Sequence, residues 1–333
     1  MKRLHYIVIT LVLATNIVIA CEPTRGKVAA LAPIDSPWDD HWRYFKNKIS
    51  ERDCIELDYY IRGETGTEEA MLTATRRNRV QITGVTMWAL AGIIPEASIP
   101  MIPFLFHSEE EVDFVHDNFL KPVFTKLLDE KGLVFLGWVD TGWNNIYSNH
   151  DISYPDDLEG LKLRGSPNFS AKAFINAIGA DYIPLGTSDI GPALQTGLVD
   201  GGLSGMVYFY YALSDFATNV LQTNQSYDQG VTVANKAWWQ TLSKEQKEGI
   251  MSSFYPTQEV RKDVRKLIHQ LIDNLKEKNI KVRTMTPQQR EVWVKSTKPT
   301  HKLIVNQVGG GAAKLYDIVL EGKKAFKTAS TKK

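Results

Sequence analysis

The residue in this 333-residue chain best suited to chemistry is an arginine at the end of a short strand. Arg164 closes Leu161-Lys162-Leu163-Arg164, and the forty residues from Leu161 to Asp200 read as strand, helix, strand, helix. Open α/β sheets place ligands beyond the carboxyl ends of their strands, which is where Arg164 stands. A guanidinium offers five donors in a planar fork that matches a carboxylate two bonds at a time. The plainer alternative is a structural salt bridge to an acidic neighbour, Asp189 or Asp200, and the residues alone leave both open.

Other constellations fall short of known chemistry. Gly202-Leu203-Ser204-Gly205 looks like a nucleophile elbow, but Met206 stands where G-x-S-x-G needs its last glycine. The seven histidines include no pair four apart with an adjacent glutamate, so the zinc-protease spacing is missing. Two cysteines, Cys21 and Cys54, cannot supply a four-thiolate metal site. Gly309-Gly310-Gly311 is not followed by the Gly-Lys-Ser/Thr of a phosphate loop. Neither a metal nor a cofactor is expected.

The elements that must position Arg164 have start and stop signals of their own. Asn168 or Ser170 can cap a helix running to about Ile178, and Ser188 with Asp189 can cap one ending at Gly197. Lys27 to Pro33, Cys54 to Ile61 and Val80 to Val85 read as strands. Between them lie a helix opened by Ser36 or Asp39 and another opened near Thr67, with Glu68 and Glu69 in its first turn. That β-α-β-α-β order predicts a mainly parallel sheet. A helix is expected over 108–131, strands over 133–138 and 142–149, and an aromatic-rich helix at Tyr208 to Tyr211. A further strand follows near 230–235, then a helical stretch over 243–278 that Pro256 should kink or split. Helices continue from Thr286 to about Gly322, and the Lys-rich tail is expected to be disordered.

Composition and address narrow the class. The chain is 43% hydrophobic and 23% charged, with 39 basic and 38 acidic residues, so it reads as globular and carries no charge excess for nucleic acid. Lys2 and Arg3 precede a weakly apolar run from Ile7 to Ala20, the pattern of an export signal over residues 1–20. Val18-Ile19-Ala20-Cys21 resembles a lipobox, which would make Cys21 the lipid-bearing first mature residue; plain cleavage after Ala20 is the alternative. With Cys21 acylated, Cys54 could form no intramolecular disulfide, and Cys54 is expected to be a buried small hydrophobe.

Several segments together carry a family resemblance. Asp157-Leu158-Glu159-Gly160-Leu161-Lys162-Leu163-Arg164, Ile178-Gly179-Ala180, Pro184 and above all Ala193-Leu194-Gln195-Thr196-Gly197-Leu198-Val199-Asp200-Gly201 resemble the DctP solute-binding proteins of TRAP (tripartite ATP-independent periplasmic) transporters. Pro95-Glu96 followed by Ile102-Pro103-Phe104-Leu105-Phe106 also matches, and the similarity runs from about Lys27 to Lys324.

The resemblance implies an α/β, two-lobed periplasmic-binding-protein-like fold with a central ligand cleft, hinge strands and a long bent helix. Lobe I would comprise 27–141 plus 230–268, and lobe II 142–229 plus 269–325. It further implies an exported periplasmic protein, without catalysis, that captures a small organic acid and delivers it to membrane permease subunits. Arg164 stands at the position of the family's carboxylate-clamping arginine. Closing over an empty cleft would desolvate an unpaired cation, whereas closing over a carboxylate replaces the lost water, so the ligand biases closure.

Departures from the family pattern bear on the ligand. Asn144 replaces a second arginine common in the crossing strand, and Ser204 stands where an asparagine is frequent. Trp88, Trp143 and Tyr208 add large rings near the expected cleft, although each ring could equally be core packing. Fewer charges and more rings point to a monocarboxylate with an apolar or aromatic body. An exported ligand-sensing lipoprotein and an exported α/β hydrolase using Ser204 remain the competing readings.

Overall fold

Among the described residues nine strands form one sheet whose middle is occupied by its two longest members. The computed structural model describes residues 22–52 and 54–331; the export signal and Cys21 lie outside them. The strands are β1 (Thr24–Ala29), β2 (Ile55–Tyr60), β3 (Ile82–Val85), β4 (Leu133–Ser148), β5 (Lys162–Gly165), β6 (Asp181–Pro184), β7 (Gly201–Gly205), β8 (Asn219–Asn235) and β9 (Lys281–Thr284). Their order is β2-β1-β3-β8-β4-β7-β5-β6, with β9 beside β8. β1 runs parallel to β2 and β3, which is the predicted β-α-β-α-β unit. β5 runs parallel to β6 and β7.

The antiparallel pair β4 and β8 joins these two parallel blades. β8 pairs with β3 through residues 231–234 and with β9 through 219–222, while β4 meets β7 through 144–148. The pairing between them shifts register at Phe135/Gly137, Asp140/Gly142 and Asn144/Ile146, and such bulges bend a ribbon as it passes from one blade to the other. The two strands expected at 133–138 and 142–149 are therefore one. The strand expected at 230–235 is the end of a 17-residue one. Nearly every β8 residue is buried, so it lacks the alternation that marks a strand with one wet face.

The caps follow local chemistry. Ser36 accepts from the Asp39 amide, Thr67 from Ala70 and Asn168 from Ala171, each satisfying a first-turn donor. Ser170 is not a cap, since its hydroxyl donates to Met101 O. Neither Ser188 nor Asp189 caps the next helix: a 3₁₀ turn, Thr187–Asp189, leads into Ile190–Gln195 with no side-chain cap bond. Gly197, at φ +69°, ends that helix in the left-handed region.

Pro256 splits its stretch into helices Lys244–Ser253 and Thr257–Glu277. The second reaches the first blade through Arg261 and Arg265, and the hydrophobic cluster of the second blade through Ile268 and Leu275. The Gly309 triplet separates Thr300–Val308 from Ala312–Ser330. The tail is thus helical through Ser330 rather than disordered. Leu315, Val319, Gly322 and Phe326 form a stripe at helical spacing, with Phe326 against Phe114 and Gly322 against Phe119. Cys54 also departs from expectation: it is half-buried and disulfide-bonded. Among the described residues no helix is long and apolar enough to cross a membrane.

Candidate ligand-binding site

A cavity of about 100 Å³ lies where the two blades meet β4 and β8. The first blade contributes Ala30 to Ala32 after β1, Trp38 and Trp42 from helix Pro37–Ser50, Glu68, and Thr86 and Trp88 after β3. β4 supplies Val139, Thr141 and Asn144, and β8 supplies Asp228 and Gly230. The second blade closes it with Arg164, Ser166, Thr187, Ile190, Leu203 to Gly205, and Tyr208.

Arg164 is 5% exposed. Its Nε donates to Leu185 O at 2.9 Å and Nη1 to Leu203 O at 3.3 Å, so backbone carbonyls of the two neighbouring connections fix the plane of the guanidinium. Nη2 is buried and has no protein acceptor. Asp200 does not compete, because its carboxylate accepts from the Lys162 amide at 2.9 Å. Asp189 forms no ion pair with the guanidinium among the described residues. Gly202 makes room for this arrangement: a Cβ there would lie 2.8 Å from Arg164 O and 2.9 Å from Arg164 Cβ.

The other expected residues divide. Asn144, Ser204, Trp88 and Tyr208 all line the cavity with Arg164. Asn144 Nδ2 reaches Ser226 Oγ at 3.5 Å, and Ser204 Oγ donates to Gly205 O at 3.1 Å. Tyr208 Oη donates to Thr187 O at 3.1 Å, and burial pushes its phenol up to about 12. Trp143 does not line the cavity. Its ring packs edge-on against Tyr227 at 4.9 Å, because successive side chains of a strand face opposite ways and Asn144 takes the inward one.

Two acids at the site were not singled out from the sequence. Glu68, 4% exposed, opens helix Glu68–Arg76. Its Oε1 accepts from the Thr86 amide at 2.7 Å, and Oε2 accepts from Thr86 Oγ1 at 3.1 Å and Thr187 Oγ1 at 2.9 Å. The last bond crosses from the first blade to the second. Burial raises the Glu68 carboxyl above its ordinary value, against the pull of those donors. Asp228 is 4% exposed and accepts from the Met87 amide at 3.1 Å. Burial, with the Glu68 charge adding, pushes it up to about 8. A strand-end position after β2 was the available signal for Glu68, and an acid within a run of buried strand residues was the signal for Asp228.

Among the described residues no group of three or more His, Cys, Asp or Glu side chains could hold a metal ion. The arrangement can therefore grip an anion at Arg164, present acids opposite, and shield the contents with rings.

The model of the family "DctP: Bacterial extracellular solute-binding protein, family 7" matches residues 28–307. The chain belongs to this family. The "Solute-binding protein" of Chromohalobacter salexigens is 25% identical over 213 residues, 62% of each chain, so this chain spans less than two thirds of that relative. The C4-dicarboxylate-binding periplasmic protein DctP of Rhodobacter capsulatus is 21% identical, over 89% of this chain and 91% of that one. The sugar acid binding protein DctPAm of Advenella mimigardefordensis, solved with galactonate, superposes with a TM-score of 0.87 at 26% identity, covering 92% of this chain and 99% of that one. The fold is accordingly the two-lobed one of these periplasmic binding proteins.

Proposed function

We propose that this DctP-family chain is the extracytoplasmic solute-binding subunit of a TRAP transporter, capturing a small monocarboxylate by an Arg164 clamp and domain closure and handing it to membrane permease subunits. The observation that carries the reading is the buried, unpartnered Nη2 of Arg164 facing a cavity between two lobes. A carboxylate there would complete the guanidinium's bonding at the moment water is excluded. The lobes would be 27–141 plus 230–268 and 142–229 plus 269–325, moving about β4 and β8.

A single acid group fits the charges better than two. Arg164 is the one basic side chain lining the cavity among the described residues, and Glu68 and Asp228 line it too, so a second ligand carboxylate would meet acids. Trp38, Trp42, Trp88 and Tyr208 offer apolar faces to the ligand's body. Ser204 is a lining hydroxyl bonded to Gly205 O, and among the described residues no histidine lines the cavity to activate it, which favours binding over hydrolysis.

The test is mass spectrometry of small molecules released from the purified protein, followed by calorimetric titration with the acid found. A monocarboxylate that binds wild type and fails to bind Arg164→Ala is the expected result. Tight binding of succinate or malate with no response to monocarboxylates would overturn it.

A further inference from the structure

The cavity has more acid than its one arginine can balance. Arg164 is spent on the ligand's carboxylate in the reading above, on which the present inference rests, and Glu68 and Asp228 then face whatever remains of the ligand. They come from different elements, Glu68 from the helix after β2 and Asp228 from the centre of β8, yet both line the same space and each is 4% exposed. Neither forms an ion pair with a basic side chain among the described residues; their bonds are to the Thr86 and Met87 amides and to threonine hydroxyls. Buried acids without a cation are costly unless something neutralises them.

We propose that the ligand is a zwitterion, with its carboxylate on Arg164 and a basic nitrogen held between Glu68 and Asp228. Glu68 has both oxygens engaged by amide and hydroxyl donors, which fixes its position and partly offsets the cost of its burial. Asp228 has one amide donor on Oδ1, and the groups facing it are the Glu68 carboxyl, the Thr141 hydroxyl and, further off, Asp140. In the absence of a cation, burial holds the proton on Asp228 to about pH 8. A ligand ammonium or amidinium replaces that proton, which leaves for solvent, and the aspartate becomes the cation's partner. Capture at neutral pH is then coupled to proton release. The charges also explain discrimination: an amino-free acid would leave Glu68 unpaired, and a diacid would add a third negative group.

The experiment is a thermal-shift screen of the full-length mature protein against small carboxylates in matched triplets that differ in one substituent: amine, hydroxyl or hydrogen. Examples are 5-aminopentanoate, 5-hydroxypentanoate and pentanoate, and 4-(aminomethyl)benzoate with its hydroxymethyl and methyl counterparts. Calorimetry on the tightest hit follows, in buffers of different ionisation enthalpy. The expected result is a hit bearing a basic nitrogen, an affinity lower by about tenfold or more when hydroxyl replaces nitrogen, and the same loss in Asp228→Asn and Glu68→Gln. Proton release at pH 7, absent in Asp228→Asn, would be its signature. Melting curves of the ligand-free variants separate lost binding from lost folding. A tightest hit without a basic nitrogen, or an Asp228→Asn protein that binds the amine as wild type does, would overturn the zwitterion and leave the Arg164 clamp standing. A tight hit without a carboxylate would remove the clamp and the zwitterion with it.

Discussion

Buried and half-buried arginines in this molecule occupy two contrasting settings. Behind the cavity, Arg265 holds Asp113 in a fork at 2.8 and 2.7 Å, contacts Asp140 at 3.0 Å and donates to Tyr227 Oη. Arg261 holds Asp117 the same way at 2.7 and 2.9 Å, with Asp113 3.0 Å from its Nε. Burial would lower the Arg265 guanidinium's affinity for its proton, and the surrounding acids more than reverse that. Arg164 has carbonyls on two nitrogens and nothing on the third. Arg164 is more deeply buried than Arg265, at 5% exposure against 19% for the Arg265 side chain, yet only the Arg265 setting has acids paired with its cation. An ion-paired network fixes the long helix to the crossing strand, whereas a buried arginine with no acid paired to it is poised for one to arrive.

The sharpest break of this contrast is to truncate an arginine in each setting. Arg265→Ala strands the fully buried Asp140 without its cation, while Asp113 keeps Arg261, and should cost about 3–5 kcal/mol of folding stability, the usual result of breaking a buried pair. Denaturant unfolding measures it. Arg164→Ala should leave unfolding of the ligand-free protein near wild type and remove about 2–5 kcal/mol of ligand binding, read by calorimetry. Equal stability losses in the two variants would erase the distinction.

That distinction was half visible in the amino-acid sequence. Arg164 stood out because a strand end in an α/β unit is a general ligand position, and its neighbours Val199-Asp200-Gly201 reinforced it. Whether Arg164 was paired could not be read, since that depended on Asp200 folding back to the Lys162 amide. Trp143 and Asn144 were both expected at the cleft, yet adjacent strand residues cannot share a face, and the alternation settles it for Asn144. By position Glu68 is a helix-dipole acid, which the sequence shows, while its burial against Thr86 and Thr187 depends on contacts made across the chain. Asp228 was missed because the continuous burial of β8 hides the strand's length. The Arg261 and Arg265 network escaped notice because its acids lie about 150 residues away along the chain, as in Asp113 to Arg265.

A smaller effect sharpens the contrast from the acid side. The folded Asp228 carboxyl, at about 8 against an ordinary 3.8, binds its proton more tightly than the unfolded chain does. The folded state therefore holds the extra proton between those values, and stability falls as pH rises from about 4 to 8. Asp228→Asn should flatten that slope and raise stability by about 1–3 kcal/mol near pH 8, measured by melting across pH. The same variant loses ligand, so a cavity acid would trade stability for binding while the Arg265 network supplies stability alone. A wild-type slope of opposite sign over this window would refute the assignment.

The least effect is expected at a hydroxyl that links the two blades across the cavity. Thr187 Oγ1 donates to Glu68 across the cleft, and Tyr208 Oη donates to Thr187 O beside it. In the closure proposed above, this cross-blade contact would form as the lobes shut. Thr187→Val keeps the side-chain shape and removes one donor to a charged group, so it should weaken the closed state by about 1–2 kcal/mol and leave the open state unchanged. The loss should appear as faster ligand dissociation in stopped-flow traces, with association and ligand-free melting held near wild type. If melting falls and dissociation does not, Thr187 belongs to the structural class of contacts with Arg265 rather than to the cleft with Arg164.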